Sequence, residues 1–157
     1  MLTPTHAISA SILALIATHV APTETGYILS ALVFASFLDL DHVYYLIRDR
    51  KMYKEKGFVG QLHHARSPLH ELPGVIIWGV IALIIRTFDQ TLASIFFLSV
   101  LIHLCEDFFA GIAFPFNPFD KTEMALFKHT KMDKVIINSL VIIVSGVLWV
   151  LYLQGKL

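Results

Sequence analysis

The stretch 135–153 reads VIINSLVIIVSGVLWVLYL and decides the fold class, because none of its residues is charged. A helix needs about 20 mostly apolar residues to cross a bilayer, with about 17 as the lower limit. The stretch therefore predicts a membrane-spanning helix. The whole chain agrees, since 56% of its 157 residues are hydrophobic, 15% are charged, and the mean hydropathy is +0.69. A soluble domain of this size would need more polar surface. We expect one integral membrane domain over residues 1–157.

Five apolar segments predict an all-α membrane helix bundle. The expected helices cover about residues 4–20, 27–47, 68–85 or 72–85, 92–107 and 135–153. The second and fifth are long enough to span, whereas the first and third lie near the lower limit. A further short helix on the membrane surface is predicted to open at Asp120, because Asp120-Lys121-Thr122-Glu123 resembles a capping box.

The basic residues predict how the bundle is oriented. Ten of the twelve Lys and Arg residues lie in two connecting segments, 48–71 and 106–134, and the other two are Arg86 and Lys156. We expect the protein to lie in the cell's inner membrane. Under the positive-inside rule, both connecting segments and the N-terminus face the cytoplasm, and the C-terminus lies outside. The formal net charge is zero, so no overall field favours nucleic acid. Membrane lipid is the expected partner.

Histidines and carboxylates stand where the apolar segments begin or end. If successive helices cross the membrane in alternating directions, four groups lie at the same, cytoplasmic face. They are His6, the run from Asp39 to His42, the run from His63 and His64 to His70, and the pair His103 and Asp107. His19 falls at the opposite end and is excluded. Ionisable groups in or near lipid are costly unless they are paired or coordinated, so the gathering predicts a functional site.

The spacings within these groups suit a metal ion. His103 and Asp107 share a helix face at i,i+4, and Asp39 and His42 share one at i,i+3. Asp41 points away from Asp39 unless the helix unwinds there. Imidazole and carboxylate without a thiolate favour zinc, with manganese or iron as alternatives. The candidate metal ligands are His6, Asp39, His42, His64 (or its neighbour His63), His70, His103 and Asp107.

The order of these motifs resembles the LexA-regulated, membrane-bound, metal-dependent hydrolase family. The matching motifs are Thr5-His6, Asp39-Leu40-Asp41-His42, the run from His63-His64-Ala65-Arg66 to His70, and His103 to Asp107 followed by Gly111 and Pro115. The loop that ends at His70 is one residue longer than is usual in the family, which leaves the choice between His63 and His64 open. The resemblance implies a hydrolase distantly similar to zinc-dependent phospholipases.

Together, the site and the resemblance predict metal-dependent hydrolysis of a phosphoester or a lipid headgroup. Asp41 or Asp107 would act catalytically by accepting the proton of the attacking water. Two other functions stay open. An ion or proton pathway would need polar residues that continue to the outer face. A redox protein would need His6 and His103 to hold a haem between them, or repeated histidine boxes for a di-iron centre.

Overall fold

The computed structural model describes residues 3–48, 50–51, 54, 67–110, 113–120, 122, 124–125, 127 and 130–157, with the backbone alone at 3, 41, 42, 45, 46, 110 and 131. These residues form α1 (Thr3–Ala17), α2 (Thr25–Phe37), α3 (Leu40–Arg48), a 3₁₀ turn (Pro68–His70), α4 (Leu72–Arg86), α5 (Gln90–Ala110) and α6 (Lys131–Leu153). In the described ranges the only extended pairing is one isolated bridge, between Ala113 and Met124. The all-α prediction is confirmed.

The predicted second helix, 27–47, is broken into α2 and α3 by a turn at Leu38 and Asp39. In a continuous helix the Asp39 N–H would donate to the carbonyl of Ala35. It donates instead to the carbonyl of Ser36, at 3.1 Å. The Asp39 side chain is buried and faces His103 on a neighbouring helix. The prediction of one unbroken helix was therefore wrong at this point.

The predicted surface helix at Asp120 is also wrong for the described residues of that loop. The Asp120 carboxylate accepts hydrogen bonds from the N–H and hydroxyl groups of Thr122, at 2.9 and 2.8 Å, which is a turn arrangement. Met124 pairs with Ala113 in the bridge. A true capping box occurs further on, between Thr130 and Asp133. It starts α6 at Lys131, earlier than the predicted residue 135.

The bundle is assembled around α5, which packs against α1, α2 and α4, while α6 packs against α1. One apolar cluster joins α1, α2, α5 and α6, and a second joins α2, α4 and α5 around Trp78 and Phe96. Hydrogen bonds from Trp149 to the carbonyl of Ile8 (3.0 Å) and from Tyr152 to that of Val20 (2.9 Å) dock α6 onto α1. One of these hydrogen bonds reaches the first half of α1 and the other reaches the residues just after its end, so α6 is held against α1 at two points.

Two helices are long and apolar enough to cross a membrane, over Gln90–Phe109 and Met132–Leu153. Three shorter apolar helices accompany them, over Pro4–Ala17, Thr25–Phe37 and Leu72–Arg86. Large apolar side chains are exposed around the bundle, among them Leu29, Ile76, Leu83, Ile143 and Val147. Such a surface is unfavourable in water and suits lipid. The helix predicted over 135–153 is confirmed as one that is long and apolar enough to cross, and 27–47 is not a single helix.

Polar side chains of two segments lie at a common level of the bundle. The Tyr27 hydroxyl donates to Asp89 at 2.9 Å, so α2 and α5 begin at one level. At about 1.5 Å per residue, Asp39 and His103 both lie about 20 Å from it. Asp39 and His103 therefore share one level, towards the far end of both helices.

Asp89 lies just before α5 and caps its N-terminus, so its carboxylate should make the stability of the protein depend on pH. Hydrogen bonds from the Leu92 N–H (2.8 Å) and from Tyr27 hold the pKa of Asp89 below its ordinary value. Its stabilising effect is complete above the unfolded pKa of about 3.9, and is lost as the pH falls through the lower folded pKa. Asp89→Ala should therefore lower the melting temperature at pH 7, with the difference closing as the pH falls through the lowered pKa of Asp89. Thermal unfolding in detergent measures this.

The control is Gln90→Ala, at the neighbouring exposed residue, which should melt like the wild type at each pH. A melting difference for Asp89→Ala that stays constant from neutral to acid pH contradicts the role given to the carboxylate.

Candidate metal centre

The last turns of α5 supply three polar side chains to the interior, His103, Glu106 and Asp107. His103 and Asp107 share the inward face, as the i,i+4 spacing predicts, and both are buried. Glu106 lies beside them and is 15% exposed. The other members come from α1, from the end of α2 and from the 3₁₀ turn before α4. Five side chains are between 0% and 7% exposed: His6, Asp39, His70, His103 and Asp107.

The break after α2 fixes the orientation of the His103 ring. Nδ1 of His103 lies 2.7 Å from the Ala35 carbonyl, the acceptor that Asp39 leaves free. A carbonyl only accepts, so Nδ1 carries a hydrogen and Nε2 is the nitrogen that faces the interior. That Nε2 lies 3.5 Å from Oδ1 of Asp39. A ring nitrogen and a carboxylate oxygen thus face each other across a short gap.

His6 repeats this arrangement on α1. Its Nδ1 lies 2.8 Å from Oε2 of Glu106, which as a carboxylate accepts the Nδ1 hydrogen. Its Nε2 lies 3.2 Å from Oδ1 of Asp107. A carboxylate behind one ring nitrogen orients a histidine and makes the other nitrogen more basic, as at metal sites. Glu106 therefore presents His6 Nε2 towards the same interior space as His103.

His70 completes the cluster from the 3₁₀ turn. Ser67 caps this turn by accepting the Leu69 N–H at 3.2 Å, and the His70 ring centroid lies 5.6 Å from that of His103. Two overlapping sets result, His6–Asp39–His103 and His70–His103–Asp107. In each set, one ligand atom from every residue lies within 4.8 Å of the others. His103 belongs to both sets.

The donor chemistry fits a divalent cation. Among the described residues, Nε2 of His6 and Nε2 of His103 have no hydrogen-bond partner, although both are buried. Buried polar atoms are nearly always satisfied, so such atoms call for an explanation. A cation between each ring nitrogen and its facing carboxylate oxygen supplies one, either as a proton or as a metal ion. Nitrogen and carboxylate oxygen without sulfur suit zinc, manganese or iron.

The cluster unites five of the predicted ligands: His6, Asp39, His70, His103 and Asp107. His64, with its alternative His63, lies outside the described residues, as do the side chains of Asp41 and His42. The predicted second helix does unwind, at Leu38 and Asp39, as Asp41 would require in order to join the site. The roles predicted for these residues stay predictions.

Two carboxylates in this region were missed from the sequence. Glu106 holds His6 although a hundred residues separate them. Glu71, which is buried, accepts the Phe114 N–H at 3.0 Å and so ties the start of α4 to the segment after α5. Both contacts join distant parts of the chain, and no local spacing announces them. The only signal for Glu106 was its place next to Asp107 and three residues after His103.

The haem alternative gains no support from the ring geometry. The imidazoles of His6 and His103 stack with their centroids 4.0 Å apart and their planes at 20°. Two axial ligands would have to stand on opposite faces of a porphyrin. Stacked rings leave no room for a macrocycle between them.

The comparisons with known proteins agree with the predicted location. The chain matches the family described as YdjM inner membrane protein over residues 1–156. No curated protein and no solved structure is detectably similar to it. The family match supports the inner membrane as the location, and it carries no statement about hydrolysis, bound metal or regulation by LexA.

Gly74 is predicted to be essential for the placement of His70. A Cβ at Gly74 would overlap the carbonyl of Leu69, which also accepts the Trp78 indole N–H at 3.0 Å. Gly74→Ala must displace the 3₁₀ turn, so we expect a loss of about 1–3 kcal/mol in the free energy of unfolding. The emission of Trp78 should shift as well. Thermal unfolding and tryptophan fluorescence test both effects.

Gly79→Ala is the matched control on the same helix. A Cβ there meets only the Phe97 ring at 3.7 Å, an ordinary contact. If both alanine variants unfold at the same temperature, the close approach of Gly74 to Leu69 does not constrain the turn.

Proposed function

This chain belongs to the YdjM inner membrane protein family, and we propose that it is a metal-dependent hydrolase. The observation that carries the proposal is the pair of buried Nε2 atoms on His6 and His103, each facing a carboxylate oxygen at 3.5 Å or less. His70 adds a third imidazole at the same place.

The residues of the cluster divide into ligands and groups that hold them. His6, Asp39, His70, His103 and Asp107 would bind one or more divalent ions, with zinc preferred and manganese or iron as alternatives. Glu106 and the Ala35 carbonyl fix the two histidine rings through their Nδ1 hydrogens. His42 and His64 would complete the set.

The chemistry divides between the ion and the chain. When bound, a divalent ion supplies Lewis acidity, which polarises a phosphoryl oxygen and makes water more acidic. Asp107 is the carboxylate proposed to take the proton from water, and Asp41 is its alternative. Asp107 suits this role because it is buried in the cluster, with its Oδ1 3.2 Å from Nε2 of His6, so a carboxylate oxygen stands beside the nitrogen that would bind the ion. Burial keeps bulk water away from these groups.

The surroundings of the cluster support a substrate that resides in the membrane. Asp39 and His103 lie in a bundle whose helices expose large apolar side chains, and the chain belongs to an inner-membrane family. A lipid whose headgroup carries a phosphoester would reach such a site more easily than a soluble phosphoester would. The charge bias, ten of twelve basic residues on this side, supports a cytoplasmic site.

Metal analysis of the purified protein tests the proposal. The wild type should retain about one or more divalent ions per chain, whereas the double variant His103→Ala plus Asp107→Ala should retain almost none. The same preparation should hydrolyse a phospholipid or a simple phosphoester, and a chelator should abolish this activity. Equal, near-zero metal in both proteins contradicts the proposal.

His19→Ala is the matched control, because His19 lies at the opposite end of α1 in an exposed turn. It should keep the full metal content. If the double variant does not fold, the conservative pair His103→Gln and Asp107→Asn gives the same comparison, with folding checked by gel filtration and thermal unfolding.

Glu106→Gln tests the orientation of His6. The amide oxygen can still accept the Nδ1 hydrogen, but it lacks the charge that makes the ring more basic. Loss of such a supporting partner lowers metal affinity about 10- to 100-fold. Competition with a chelator of known affinity measures the change. The control Glu24→Gln, at the other end of the bundle, should bind the metal ion like the wild type. An unchanged metal affinity for Glu106→Gln would contradict the proposed role and leave Glu106 a structural residue only.

A further inference from the structure

α3 carries an apolar row that faces outward. Leu40, Val43, Tyr44 and Ile47 stand at i, i+3, i+4 and i+7, which places them on one side of the helix. Each is more than half exposed, between 52% and 67%. The helix has nine residues, so at about 1.5 Å per residue it is far too short to cross a bilayer by itself.

Basic residues follow the apolar row directly after Ile47. Lys51 and Lys54 follow Ile47 at four and seven residues, and both are helical and exposed. Arg48 and Arg50, also exposed, lie on either side of the row at helical spacing. Only four positions along the sequence separate Ile47, the last apolar member, from Lys51. Such a short transition is the pattern expected where hydrocarbon meets lipid headgroups.

We propose that this row, defined by Leu40, Val43, Tyr44, Ile47, Lys51 and Lys54, binds anionic phospholipid: acyl chains along its apolar part and headgroup phosphates at its basic part. The contact between Arg48 and Tyr44 supports this assignment. The guanidinium carbon lies 5.9 Å from the centre of the Tyr44 ring, so the cation rests on an aromatic side chain at the edge of the row. Tyrosine is enriched at membrane interfaces, and arginine can lay its apolar stem along such a surface while its charged end stays in water.

Charge favours a lipid over a second copy of the chain. Residues 48–56 contain five basic and two acidic residues, so two copies brought together by this row would repel each other. An anionic headgroup is complementary to it. Each basic residue near an anionic membrane surface strengthens the attraction by about fivefold. The chain is an inner-membrane protein, so lipid is already in contact with its apolar surface.

Lipid selectivity of the full chain in bilayers tests the proposal. The protein is reconstituted in phosphatidylcholine, and electron spin resonance measures the fraction of spin-labelled phosphatidylglycerol or phosphatidylcholine held at its surface. We expect the wild type to prefer phosphatidylglycerol several-fold, and the preference to weaken in about 1 M salt, where the screening length is about 3 Å. Lys51→Gln plus Lys54→Gln should remove most of the preference. Arg86→Gln plus Lys156→Gln removes two exposed cations elsewhere and should leave it unchanged.

Three results overturn the proposal. One is a wild type that holds both lipids equally, and another is an equal loss of preference in the two double variants. The third is a dimer in detergent that Val43→Ser plus Ile47→Ser dissociates, which would assign the row to a second copy. The measurement requires no bound metal, so it stands or fails independently of the hydrolase proposal.

Discussion

The hydrogen bond from His103 to the Ala35 carbonyl is the contact on which the site depends, and it exists because α2 stops. An unbroken helix would use this carbonyl for the N–H of Asp39. Since Asp39 turns back to Ser36 instead, the carbonyl is free to accept the His103 hydrogen. The same turn directs the Asp39 carboxylate towards the other nitrogen of that ring. One local break thus orients a histidine and supplies its facing carboxylate.

The remainder of the bundle holds this polar region in place by packing and by aromatic hydrogen bonds. Lipid provides no hydrophobic drive between helices, so close contact and interhelical hydrogen bonds must hold them. Three aromatic donors reach backbone carbonyls of neighbouring elements: Trp78 to Leu69, Trp149 to Ile8 and Tyr152 to Val20. The first of these fixes the turn that carries His70. The other two dock α6 on α1, the helix that carries His6.

The sequence predicted that the polar side chains gather at one end of the bundle, but not the contacts between them. Hydropathy and threading suffice to bring His6, Asp39, His70, His103 and Asp107 to one end, because helix ends alternate between faces. The break at Leu38 and Asp39 was invisible, since neither glycine nor proline marks it and a tertiary contact decides it. The prediction of a surface helix at Asp120 was wrong for a related reason. The Asp120 carboxylate accepts hydrogen bonds from Thr122 within a turn, and Met124 pairs with Ala113 in a bridge. The role of Glu106 needed the placement of α1 against α5.

Energetics give no reason to keep this polar cluster for stability. Each buried polar atom left unsatisfied costs about 1–3 kcal/mol, and buried ion pairs can often be replaced by apolar residues of similar volume without loss. A bundle of this composition could fill the same space with leucine. Four segments instead deliver three imidazoles and two carboxylates to one end of the bundle, and two of the imidazole nitrogens face carboxylate oxygens across gaps of 3.2 and 3.5 Å. Either a proton on the ring or a metal ion makes each of these contacts attractive, and the proposed metal site would use the second.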